Sequence, residues 1–191
     1  PMQIITPKEQ INFETNKRLL NRYRFVEYET LRILAGWLPA TANMDYKLAM
    51  GRLLWEDAEH TQHLYRRLRE VQTPAFRPPG DEALEHLMAE AVHAPSEKEM
   101  LAGIFRVIKP ALVEAYHWHL AQTFANPDAP TLYAFKHILI DEEEQLRWAE
   151  EWLADHPVGE WESYLRGLLA AAGGITGNDA AEDYVPLTIA V

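Results

Sequence analysis

The chain has no cysteine, so disulfides and thiolate metal sites are excluded, and any metal it binds must take oxygen and imidazole ligands. It also lacks a long apolar run. No stretch approaches the ~20 residues of a membrane span, and the opening PMQIITPKEQ has neither the basic nor the apolar region of a signal peptide. Positive charge is in deficit: 18 Lys and Arg stand against 29 Asp and Glu, a formal net charge of -11. The basic surface that nucleic acid or an anionic membrane requires is therefore missing, while a cationic partner is compatible. These absences lead to the expectation of a cytoplasmic protein with no nucleic-acid and no membrane partner. What is present is a hydrophobic content of 48% over 191 residues, which suits one domain, 1–191, with a sizeable core and excludes wholesale disorder.

The apolar residues recur with the 3.6-residue period of long amphipathic helices. Thr6-Pro7-Lys8-Glu9 joins a capping-box pattern to Pro at a first helical position, so a helix is expected from there toward Trp37, with a break near Asn12–Thr15. Its stripe collects Leu19, Tyr23, Val26, Thr30, Leu34 and Trp37. Leu38–Asn43 is a short connection, which makes the next helix, about Met44–Val71, an antiparallel neighbour. Gln72–Glu99 is longer. It holds Pro74, Pro78, Pro79 and Gly80, an amphipathic segment around Glu82–Val92 and a second capping box from Ser96 to Glu99, and it can cross a bundle from end to end. Met100–Ala125 is apolar on nearly every side, with Pro110 expected to kink it. Asn126–Pro130 turns the chain into Thr131–Ala154, whose stripe is Phe135, Ile138, Leu139, Leu146, Ala149 and Leu153. A shorter helix, Val158–Ala172, should end at Gly173-Gly174, and the remaining tail reads as extended. Two antiparallel hairpins joined by one crossover give an all-α four-helix bundle, with its core over about 17–153 and an additional helix and tail in 154–191.

Charged residues fall where this core should be. In Met44–Val71, Met50, Leu54, Leu64 and Leu68 share one face, with Asp57 near its middle and His60 on its flank. An unpaired buried carboxylate is disfavoured by several kcal/mol, so this placement points to a bound cation, to a buried hydrogen-bond network or to a helical period other than the one assigned. Glu27 lies near the centre of the first stripe, with Glu29 further to the side, and Glu142 is the member of Asp141–Glu144 that points inward. The two halves of the chain are weakly alike: Glu27, a turn, then Asp57 and His60; Glu114, a turn, then Glu142 and Gln145. An acid and an imidazole three residues apart occupy one helix face and can reach a single ion.

Through these positions the sequence resembles the ferritin-like di-iron/di-manganese carboxylate superfamily, whose pattern is one Glu from each of two helices and Glu-x-x-His from each of the other two. The resemblance covers roughly Lys17–Leu153 and implies a ferritin-like bundle holding two iron or manganese ions on Glu27, Asp57, His60, Glu114 and Glu142. Asp57 stands where the family has Glu, and Gln145 where it has the second His, which weakens one half-site. Glu29, Glu56, His63, His117 and His119 are alternates, and His119 has a better core-facing phase than Glu114 if the helix stays straight past Pro110. The function so implied is a non-haem oxidoreductase that activates dioxygen or peroxide for a small-molecule substrate, with no catalytic side chain assigned; a homodimer is expected as the commonest oligomer. The alternative is a bundle with a degenerate site that serves as an interaction or structural protein; iron storage ranks behind both.

Overall fold

The computed structural model describes residues 11–74, 78–123 and 128–177, and all regular structure among them is helical. The first helix, α1 (Phe13–Trp37), opens on Asn12, whose side chain accepts the Thr15 N–H at 2.8 Å. The long helix thus starts at the expected break; the Thr6-Pro7-Lys8-Glu9 pattern lies outside the described residues. A 3₁₀ turn, Leu38–Ala40, reverses the chain, and Asn43 caps α2 (Met44–Glu70) by accepting the Tyr46 N–H at 3.0 Å. The crossover carries α3 (Glu82–Ala91). Its cap, Asp81, accepts the Ala83 and Leu84 N–H groups and also pairs with Arg22 of α1, which pins the crossover to the bundle.

Ser96 caps α4 (Glu97–Gly103), which continues through a π turn, Ile104–Ile108, into α5 (Lys109–Gln122). The π turn stands where Pro110 was expected to kink the helix, and its cause is local. Pro110 has no N–H for the Arg106 carbonyl and its ring crowds that oxygen. The Lys109 N–H instead reaches back five residues to the Ile104 carbonyl, and the Arg106 carbonyl accepts Arg166 Nη2 at 2.9 Å. After α6 (Ala129–Trp152), α7 (Glu160–Ala171) packs on α3 and α4. A Cβ at Gly103 would stand 2.7 Å from Leu165 Cδ1, so the glycine is what lets α7 approach. The chain leaves α7 through Gly173 and Gly174, both at positive φ, and Gly174 N–H returns to the Leu169 carbonyl at 2.9 Å. Residues 178–191 of the tail expected to be extended lie outside the described residues.

Side-chain pairs along the bundle fix its directions. Glu27 faces His60, Asn16 faces Asp128, Arg67 faces Thr131, and Arg52 faces Glu144, while Tyr23 meets His119 and Lys109 meets Glu142. Hence α1 and α6 run one way, α2 and α5 the other. This up-down-down-up order is what one long crossover between two hairpins produces, and it is compatible with a ferritin-like fold. The expected stripes face the core, although Trp37, Leu54 and Leu146 are only partly buried, and Leu53 takes the place of Leu54. No described helix is long and apolar enough to cross a membrane.

Candidate metal centre

At mid-height the four long helices turn polar groups toward one another. α1 contributes Glu27, α2 contributes Asp57 and His60, α6 contributes Glu142 and Gln145, and α5 contributes Lys109 and Tyr116; all are buried. One ligand atom from each of Glu27, Asp57, His60 and Glu142 lies within 4.8 Å of the others. His60 Nδ1 is 3.5 Å from Glu142 Oε1, 3.6 Å from Glu27 Oε2 and 3.9 Å from Asp57 Oδ1. Donors bound at ~2.1 Å to one ion stand roughly 3–4 Å apart, so these separations suit a common cation.

The surroundings orient the donors. His60 Nε2 lies 3.2 Å from Asp141 Oδ2; with Nε2–H donating there, Nδ1 presents its lone pair to the carboxylates, as in carboxylate–histidine–metal arrangements. Tyr116 Oη donates to Glu27 Oε1 at 2.8 Å, and Gln145 Nε2 donates to Asp57 Oδ1 at 3.0 Å and to Glu56 Oε2 at 3.1 Å. His60 Nδ1, Glu27 Oε2, Asp57 Oδ2 and Glu142 Oε2 are buried without a hydrogen-bond partner. Such atoms are costly unless a ligand satisfies them. The group can therefore hold a metal ion.

Electrostatics agree with the geometry. Burial pushes the Asp57 carboxyl above its ordinary range, against the nearby Lys109 ammonium. Burial by itself would lower His60, but the Glu27 carboxylate, with Asp141 and Glu142, holds it well above the usual imidazole value. A metal at Nδ1 would therefore displace a proton.

Lys109 was not among the expected site residues. Its fully buried Nζ donates to Asp57 Oδ1 at 3.0 Å and makes a close ion pair with Glu142 Oε1. Those carboxylates, together with Glu27, keep the ammonium charged despite its burial. A signal for it exists in the sequence: the run AGIFRVIKPALV is apolar except for Arg106 and Lys109, which makes the lysine a candidate for burial against an acid.

The remaining expected residues lie elsewhere. Glu114 is exposed on α5, two positions from both Leu112 and Tyr116 and hence on the opposite side of the helix from that buried face; it is not part of the buried group. His117 is exposed as well, whereas His119 is buried with Nδ1 3.3 Å from Tyr23 Oη, and burial lowers it to about 4. Glu29 pairs with Arg32, Glu56 pairs with Arg52 at 2.6 Å, and His63 is half-buried and lowered by burial and Arg66. The chain matches no protein-family model, no curated protein and no solved structure. The all-helical fold and the buried carboxylate–histidine group thus define it as a helical protein able to hold a metal.

Proposed function

We propose that this chain is a metal-dependent oxidoreductase of the ferritin-like kind, using dioxygen or peroxide on a small-molecule substrate. The observation that carries the reading is the convergence of His60 Nδ1 with carboxylates from three helices, in a place where that nitrogen and one oxygen of each acid have no hydrogen-bond partner. Iron or manganese bound there would supply electron exchange and an open coordination position. Tyr116 holds Glu27, Asp141 holds His60, Gln145 holds Asp57 and Lys109 holds Glu142, so each ligand is fixed before a metal arrives. A cleft of about 250 Å³, lined by Arg52, Glu56, Glu144, Gln145 and Trp148 among others, gives a small molecule an approach. Its floor is close to the centre, since Gln145 is itself hydrogen-bonded to Asp57.

The test is elemental analysis of protein purified without chelator, joined to oxygen uptake by the iron- or manganese-loaded protein. Bound metal and uptake that is lost in His60→Ala are expected. The Lys109 ion pairs favour a second reading, a bundle whose core is closed by salt bridges and which serves as an interaction protein. That reading requires metal-free protein and identical melting curves with and without chelator. The homodimer is a proposal from prevalence alone, and sizing chromatography tests it against a storage cage.

A further inference from the structure

We infer that the centre takes one divalent ion, not two, because the Lys109 ammonium stands in the place of a second cation. This rests on the metal-binding reading above and adds to it the number of ions and the residue that sets that number. In a dinuclear carboxylate centre, acids from facing helices bridge the two ions. Here Asp57 of α2 and Glu142 of α6 face each other, and the same oxygens that lie 3.9 and 3.5 Å from His60 Nδ1 also hold Lys109 Nζ. The bridge therefore runs from an ion on the imidazole side to an ammonium.

The donors agree. A second ion would draw on α5 and on position 145 of α6, but Glu114 of α5 is exposed and Gln145 turns its amide N–H₂, which is no metal ligand, toward Glu56 and Asp57, while its Oε1 is left without a partner. Charge agrees as well. Glu56 is balanced by Arg52, so the buried centre consists of three carboxylates and one ammonium, with a neutral His60 once Nδ1 is a ligand. Its two surplus negative charges match one divalent ion; two such ions would bury net positive charge, which is strongly disfavoured. Neither an unpaired acid nor a buried one suffices alone for such a site. Glu162 is also buried without a hydrogen bond, with Arg106 Nη1 3.6 Å away, yet it belongs to no group of metal-ligating residues.

The experiment is anaerobic titration of chelator-stripped protein with Mn²⁺, read as ions per chain and by electron paramagnetic resonance. Wild-type protein should bind one ion per chain, with the hyperfine pattern of an isolated ion. Two ions with a spin-coupled spectrum would overturn this inference and leave the metal-binding reading standing; no bound ion would overturn both. Gln145→His restores the second imidazole but retains the ammonium and should still bind one. The double variant Lys109→Glu, Gln145→His, in which four buried carboxylates balance two divalent ions, should bind two. Two ions in Gln145→His alone, or one in the double variant, would overturn the role given to Lys109. Wild type and Gln145→His keep the ammonium, so they decide the matter even where its loss prevents folding.

Discussion

Two of the buried polar clusters among the described residues, one at an end of the bundle and one at mid-height, are finished differently. At the end where α6 begins, Asp128 Oδ2 accepts Asn16 Nδ2 at 2.7 Å, and Oδ1 accepts Arg67 Nη2 at 2.7 Å and Thr131 Oγ1 at 2.6 Å. Arg67 Nε donates in turn to Thr131 Oγ1 at 2.8 Å. Both carboxylate oxygens are satisfied, and the donors come from α1, α2 and α6, so this cluster ties three helices and leaves no carboxylate oxygen of Asp128 for a ligand. At mid-height, three carboxylates each keep an oxygen without a partner, beside an imidazole nitrogen in the same condition. A buried acid is thus explained in one place by hydrogen bonds alone. In the other, the hydrogen bonds run out before the acids do.

The largest effect should come from removing the resident cation of the open cluster. Lys109→Ala in metal-free protein leaves Asp57 and Glu142 buried and unpaired, and chemical denaturation should show a loss of about 3–5 kcal/mol; Mn²⁺ should restore part of it. No recovery with Mn²⁺ would mean that the acids do not bind the ion. Asp128→Ala should come next, at about 2–3 kcal/mol, because it removes the acceptor of Arg67 Nη2, Thr131 Oγ1 and Asn16 Nδ2. Its metal content should equal that of wild type. A drop in metal content would show that the two clusters are coupled and erase the distinction between them.

Asp141→Ala should leave the fold intact and weaken metal binding by roughly 10–100-fold, since Asp141 only orients His60. Calorimetric titration of metal into the variant measures this, and unchanged affinity would remove Asp141 from the site. The smallest effects are spread over pH, at no more than about 1.4 kcal/mol per pH unit for each group. His119, lowered to about 4, stabilises the fold fully above its unfolded value of 6.5, and that contribution is lost as pH falls from 6.5 to 4. His60 behaves oppositely in chelated protein. Its folded value is raised, so its contribution is complete below 6.5 and is lost as pH rises through the folded value. Metal binding favours the deprotonated imidazole, so the gap in melting temperature between loaded and chelated protein should widen with rising pH. A constant gap would place the ion away from His60.

Much of this arrangement was legible in the chain. The stripe of α1 carries Glu27 at its centre, and that of α6 carries Glu142, because an amphipathic helix reports its own inner face. The Ser96 cap and the Gly173-Gly174 stop were readable for the same reason: each is a contact between near neighbours. The α5 side of the centre was not. The pattern matched to the superfamily pointed to Glu114, whereas the face shared by Leu112, Tyr116 and His119 turns that residue outward and Lys109 inward.

By itself, then, the sequence determined an all-helical chain, its hairpins and crossover, and which acids on α1, α2 and α6 face the core, because periodicity and capping are local properties. Tertiary structure decided which of the buried polar groups meet. Asp57, Lys109 and Glu142 are separated by 52 and 33 positions along the chain, and no helix face records what lies opposite it. The π turn before Pro110, with Arg166 supplying the hydrogen bond that Pro110 cannot, leads directly into Lys109 at the centre of that meeting. Whether a buried acid is met by an ammonium, an amide or a metal is a fact about its neighbours across the bundle, and those neighbours are fixed only when the helices pack.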